Sequence, residues 1–165
     1  MRCSAELACV DPRQVGQIWP RVAPRLRRAM LRTGLSAFAD VERDVLDGRA
    51  LLWLALSGDR EEVAIDAVAT TRLEQTDAGK VCVIVACEGR GRYRWLPLIG
   101  GIESYAKAEG CRSVRIFGRK GWLRTLDSYR QTHVIIQKEF EMTINFDDLD
   151  SPLSYADQTR RSYHG

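Results

Sequence analysis

Lys80-Val81-Cys82-Val83-Ile84-Val85-Ala86-Cys87 is a short apolar run, and Glu88-Gly89-Arg90-Gly91-Arg92-Tyr93 comes directly after it. An apolar stretch of this length, rich in β-branched residues and bounded by turn formers, reads as a buried strand. The two glycines after it read as a turn. A helix is then expected from about Trp95 to Glu109, ended by Gly110, and a further strand from Ser113 to Phe117. A strand–helix–strand connection within one sheet is parallel and right-handed. This unit therefore fixes one side of the fold.

Toward the N-terminus, Thr76-Asp77-Ala78-Gly79 forms a turn, and Glu62–Glu74 precedes it as a longer strand. Ala50-Leu51-Leu52-Trp53-Leu54-Ala55-Leu56, bounded by Gly48 and Ser57-Gly58-Asp59, is another buried strand. The three strands form an antiparallel meander. Before them the period changes to that of helices. Phe38, Val41, Val45 and Leu46 make one amphipathic segment, stopped at Asp47-Gly48. Val22, Leu26, Ala29 and Met30 mark the apolar face of a helix from about Ala23 to Arg32, ended by Gly34. A separate short helix starts at Asp11-Pro12 and runs to about Trp19, where Pro20 is expected to interrupt it.

Toward the C-terminus, Gly118 leads to a short helix from Trp122 to Asp127, and a last long strand is expected from Thr132 to about Met142. From Asp147 the pattern stops. The fold class is thus α+β: a mixed, largely antiparallel sheet with helices on both faces. Residues 1–34 form an N-terminal helical segment packed on the core, 35–146 the core domain, and 147–165 an extended C-terminal arm.

Hydrophobic residues make up 45% of the 165 and charged residues 28%, which fits one globular domain. No apolar run approaches the ~20 residues of a membrane span. The N-terminus lacks the basic start and apolar stretch of a signal peptide, so a cytoplasmic protein is expected. The cysteines are Cys3, Cys9, Cys82, Cys87 and Cys111; their spacing fits no zinc site, and no metal is expected. Cys82 and Cys87, five apart in one strand, are expected on opposite faces.

The net charge is only +3, but its distribution is uneven. From Pro12 to Ala39 the chain carries Arg13, Arg21, Arg25, Arg27, Arg28 and Arg32 and no acid; from Glu141 to Asp150 it carries Glu141, Asp147, Asp148 and Asp150 and no base. The basic segment reads as a solvated helix face, a phosphate-facing patch or a subunit contact onto an acidic neighbour.

The order of elements resembles that of the GNAT-like (Gcn5-related N-acetyltransferase fold) proteins of tailed phages and prophages. So do Gly118-Arg119-Lys120-Gly121-Trp122-Leu123-Arg124-Thr125-Leu126 and the stretch from Tyr129-Arg130-Gln131-Thr132 to Lys138-Glu139. The resemblance spans roughly Leu35 to Phe140. It implies a sheet and central helix that grip acetyl-coenzyme A. In working enzymes of that fold the loop before the helix resembles Gln/Arg-x-x-Gly-x-Gly/Ala, whose small residues let backbone N–H groups reach the pyrophosphate. Here Gly89, Arg90, Gly91 and Arg92 make a vestigial version, with Glu88 placing a negative charge in its first position and Tyr93 standing where a small residue belongs.

The resemblance also implies a tyrosine on the short helix, where this chain has Trp122-Leu123-Arg124, and a glutamate base in the second strand, where it has Asp66. Tyr129 reads as a packing residue. His133 and His164 have no Ser or Cys partner from which a triad can be built. No catalytic residue is assigned on this reading.

The function expected is that of a catalytically silent GNAT-fold assembly protein of a tailed-phage virion, such as a head–tail connector, needing no cofactor. Its interface residues are Arg21, Arg25 and Arg28 on one side and Asp147, Asp148, Asp150, Tyr155 and Tyr163 on the other. Its partners are neighbouring copies of itself in a ring, with portal and tail subunits, in a virion assembled in the bacterial host cytoplasm. No membrane or direct nucleic-acid contact is expected. The alternative is an N-acetyltransferase using acetyl-coenzyme A. A third reading is a phage-encoded module that binds a host protein or nucleic acid through Arg21–Arg32. Only Trp19 lies near those arginines, which disfavours base stacking.

Overall fold

Val15, Trp19, Val22, Leu26 and Met30 recur at helical spacing and are all buried, along one stripe of a single continuous helix, α1 (Val15–Thr33). Burying a side chain of this size stabilises the fold by about 1.5–3 kcal/mol at most. The break expected at Pro20 does not occur. Pro20 and Pro24 both lie inside α1 on its exposed side, where the carbonyls left without an N–H partner can turn to water. Gly34, at φ 63°, ends the helix as anticipated, its N–H bonding the Met30 carbonyl. The second helix, α2 (Phe38–Leu46), buries Val41 and Val45. Trp19 clamps the two helices together: its indole stacks on Phe38 at 6.0 Å and its N–H donates to Glu42 at 2.7 Å.

The computed structural model describes residues 6–58 and 62–141, with the side chains of 92–94 outside that description. The chain divides into two units, Met1–Arg130 and Gln131–Gly165. The first contains a five-stranded sheet of β1 (Glu6–Cys9), β2 (Leu51–Gly58), β3 (Val63–Thr76), β4 (Gly79–Gly89) and β5 (Ser113–Ile116). The strands lie in sequence order, antiparallel from β1 to β4 and parallel between β4 and β5. The crossover to the parallel strand is the third helix, α3 (Arg92–Ala108). A short 3-10 helix, Lys120–Arg124, comes after β5.

The sheet is buried on both faces. Leu52, Leu54, Val68, Val81 and Val83 face α1 and α2. Trp53, Ala55, Ala67, Ala69, Cys82 and Ile84 face α3, whose Leu98, Ile99 and Ile102 cover them. Gly101 of α3 has no room for a side chain, since an added Cβ would overlap the Leu7 side chain of β1. Among the described residues no helix is long and apolar enough to cross a membrane.

Two bulges interrupt the alternation. Between β2 and β3, Ala55 pairs Ala67 and Leu56 pairs Ile65, so Asp66 is the extra residue. Between β3 and β4, Thr70 pairs Ala86 and Thr71 pairs Ile84, so Val85 is the extra one. Val85 and Ala86 consequently both face α1, and the residues beyond are shifted by one. Cys82 and Cys87 therefore share the α3 face, against the expectation from their spacing.

In the second unit, residues 131–141 form no strand. Val134, Ile135, Ile136 and Phe140 are 71%, 64%, 92% and 79% exposed. The expected strand from Thr132 is thus not formed over these residues: strand character in a sequence becomes structure only when pairing and burial accompany it. The arm from Asp147, with Asp148, Asp150, Tyr155, Tyr163 and His164, lies outside the described residues.

Candidate functional site

The parallel strands β4 and β5 are paired from Val81–Ser113 to Ile84–Ile116, and one further bond joins the Phe117 N–H to the Ile84 carbonyl at 3.2 Å. Beyond that point they part. The bulge at Val85 sits at the parting, and β4 runs on as far as Gly89 with β3 alone beside it. A strand edge left in this way presents N–H and C=O groups that an extended ligand can pair with.

The gap between the strands is a cavity of about 610 Å³. Its walls are β4 from Val85 to Gly89, the C-terminal turn of α1 with Met30 and Arg32, and the stretch from Ile116 to Trp122. Trp95 and Trp122 meet inside it edge to face, their rings 4.7 Å apart. Each tryptophan stands against a glycine. An added Cβ on Gly89 would lie 2.9 Å from Trp95, and one on Gly118 would lie 2.9 Å from Trp122.

Gly89 and Glu88 belong to β4, paired with Ala67 and Val68, so the turn before α3 shrinks to Arg90-Gly91. Gly91 takes φ 77°, a conformation that L side chains rarely adopt, and α3 begins at once. The Arg90 N–H is occupied by the Asp66 carbonyl at 3.0 Å. The first turn of α3 has neither an acidic residue nor a side-chain cap, which leaves its positive end available to an anion. The Arg92 and Tyr93 side chains lie outside the described atoms.

Glu88 does not project into that turn as a lone negative charge. Arg25 of α1 donates to its Oε2 at 2.5 Å, and the same guanidinium donates to the carbonyls of Ile65 at 2.7 Å and Asp66 at 3.1 Å. Arg25, assigned from sequence to a subunit interface, is turned inward, whereas Arg21 and Arg28 are exposed. The spacing of the arginines alone gave no means of separating them.

The acid–base candidates are placed away from the gap. Asp66 is buried at its bulge, outside the lining of the cavity. Tyr129 donates its hydroxyl to Glu103 of α3 at 2.9 Å, and burial together with that hydrogen bond raises its pKa well above the ordinary value. His133 is exposed and lies against the Thr132 hydroxyl at 2.9 Å. Cys87, which does line the cavity, has its pKa pushed up to about 12, first by burial and then by the Glu88 charge, which favours the protonated thiol at neutral pH. Sequence reading placed Arg32 in a basic segment and Trp95 at a helix start without bringing the two together, because their meeting at one sheet opening depends on tertiary packing.

No protein-family model and no curated protein matches the sequence. Solved structures are similar to it over most of its length. A probable acetyltransferase superposes with a TM-score of 0.60 at 10% identity, over 84% of this chain and 98% of its own. The aminoglycoside N-acetyltransferase AAC(6')-Iy, solved in complex with CoA, gives 0.58 at 10% identity, over 86% and 98%. A predicted acetyltransferase from Clostridium acetobutylicum, solved with acetyl-CoA, gives 0.51 at 10% identity, over 82% and 96%. These neighbours are acetyltransferases, and they overturn the expectation of a silent structural subunit of a phage virion or head–tail connector. At such identities the likeness establishes the architecture: the chain has a GNAT-like α+β fold.

Proposed function

We propose that this chain is an N-acetyltransferase that uses acetyl-coenzyme A, in place of the cofactor-free scaffold expected from the sequence. The observation that carries the reading is the parting of β4 and β5 beyond Ile84 and Phe117, directly beside the uncapped start of α3. Acetyl-coenzyme A has parts that match both. Its pyrophosphate suits the positive end of α3, where Gly91 brings the backbone in close. Its amide-bearing arm can enter the cavity between the strands and pair with the free edge of β4. Structures of the same fold have been solved with CoA and acetyl-CoA.

Acetyl-coenzyme A supplies an activated thioester. This chain supplies position and charge around it. Arg25 neutralises Glu88, so the one carboxylate lining the cavity among the described residues does not repel an anionic donor. Trp95 and Trp122 give the cavity an apolar wall, beside which electrostatic contacts are stronger than in open water. No side chain among the described residues is placed as a dedicated general acid. The transfer is therefore expected to rely on orientation, with proton movement through water.

Calorimetric titration with acetyl-coenzyme A tests the reading. Saturable binding in the micromolar range, and then release of thiol when an amine is added, supports it. Absence of heat at millimolar ligand, with the protein folded, would sink it.

A further inference from the structure

Three cationic side chains line the cavity: Arg32 in the last turn of α1, and Arg119 and Lys120 just beyond β5. All three are exposed at its mouth, and none is in an ion pair among the described residues. Glu88 is the single carboxylate of the lining among the described residues, and Arg25 already holds it. Among the described residues, no acid offsets the positive charge that a ligand entering this cavity meets. A polycationic acceptor needs the opposite, carboxylates that attract it and repay its desolvation.

The cations fall on different sides of the gap. The start of α3, which takes the pyrophosphate in the proposed function, belongs to the helix on one face of the sheet; α1 packs on the other face. Arg32 therefore stands across the sheet from the end of the cavity assigned to the pyrophosphate, which leaves it for the acceptor. Resting on the N-acetyltransferase reading, we infer that the acceptor is a small primary amine bearing an anionic group, a carboxylate or a phosphate, bound by Arg32 on the α1 side of the cavity. A guanidinium suits either group because its planar fork donates two parallel hydrogen bonds. In the transfer, the amine nitrogen forms the bond to the acetyl carbon and the carbon–sulfur bond breaks with its electron pair on sulfur. The proton lost by nitrogen passes through water to that sulfur, giving an amide and a free thiol. Arg32 exchanges no proton; it holds the acceptor.

The test uses the full chain. Acetyl-coenzyme A is titrated first, and thiol release is then measured with an α-amino acid, 2-aminoethyl phosphate, spermidine and an aminoglycoside. One or both anionic amines are expected to exceed the polycations about tenfold or more in kcat/KM. Whether the carboxylate or the phosphate compound is preferred identifies the group. Arg32→Ala should raise KM for that amine about tenfold while leaving the Kd of acetyl-coenzyme A within about twofold, with Arg32→Lys between. Preference for spermidine or the aminoglycoside overturns the inference. So does an Arg32→Ala effect confined to acetyl-coenzyme A, or cofactor binding without turnover of either anionic amine. Failure of acetyl-coenzyme A to bind appears in the first titration and overturns the parent reading together with this one.

Discussion

Arg25 on α1 and Glu88 on β4 meet at 2.5 Å, and the guanidinium that makes this contact also caps two carbonyls of β3. One side chain thus ties a helix to two strands at the edge of the cavity, with the pair 17% and 20% exposed. Arg25→Ala leaves a partly buried carboxylate without its cation and takes one donor from each of the Ile65 and Asp66 carbonyls, the latter keeping the Arg90 N–H. The expected loss is about 2–3 kcal/mol, read as a lower denaturant midpoint. Adding Glu88→Gln to that variant should restore part of the loss. A double-mutant cycle with no coupling would contradict the assignment.

Gly89 is expected to resist even alanine. Its added Cβ would sit 2.9 Å from the Ala67 Cβ and 2.9 Å from the Trp95 ring. Overpacking of this kind costs about 1–3 kcal/mol, so Gly89→Ala should lower the unfolding midpoint and shift tryptophan fluorescence as Trp95 is pushed against Trp122. An unchanged emission spectrum would show that the two rings are not held as described.

Stability should fall on the alkaline side. Burial raises the pKa of Cys82 to about 11, and of Cys87 and Tyr105 to about 12; Tyr129 is raised as well. These groups release protons more readily when unfolded, near their ordinary values of 9.0 for Cys and 10.0 for Tyr. Their contribution is complete below about pH 9 and is lost as pH rises through the folded values. Thermal unfolding midpoints across pH 7 to 11 check the direction: the curve should slope downward only above about pH 9.

Neither Cys87 nor Tyr129 should matter chemically. The Cys87 thiol stays protonated near neutral pH, and the Tyr129 hydroxyl is committed to Glu103. Cys87→Ser and Tyr129→Phe are expected to keep kcat within about threefold of the parent, while Tyr129→Phe loses about 1 kcal/mol of stability. A covalent acetyl group on Cys87, seen by mass spectrometry during turnover, would refute this for the cysteine.

Ile136 is 92% exposed, so Ile136→Ser removes no core contact. The stability should change by no more than about 0.5 kcal/mol. A large loss of stability would mean that this residue is covered in solution.

Much of the architecture was legible because local pattern and tertiary burial agreed. Leu26 and Met30 on one helix face, the turn at Asp77-Ala78-Gly79 and the run from Val81 to Ile84 all end up where their periodicity places them. The misreadings arose where a local rule was outweighed. Proline interrupts a helix only when its cost cannot be met, and Pro20 and Pro24 face water. Glu88 looked like an obstacle to phosphate because its partner lies 63 residues earlier in the chain. Val134 to Ile136 carry strong strand character, which a sequence displays whether or not a neighbouring strand is paired with it. The cavity was half visible: Gly89 and Trp122 stood out as motifs, but Arg32 and Trp95 join them only through the packing of α1 and α3 on opposite faces.

The extra residue at Val85 gives β4 something like a reading frame. Residues up to Ile84 are read in one phase and those from Ala86 in the other, and only the second phase sends Glu88 toward Arg25 and Cys87 toward α3. Removing Val85 alone would straighten the strand and leave every later residue on its present partner, Ala86 still opposite Thr70 and Glu88 still toward α1. Removing Val85 and Ala86 together would exchange the inward and outward sets of the last segment and place a carboxylate among the apolar side chains of α3. A one-residue deletion at this point is therefore expected to be tolerated and a two-residue deletion rejected.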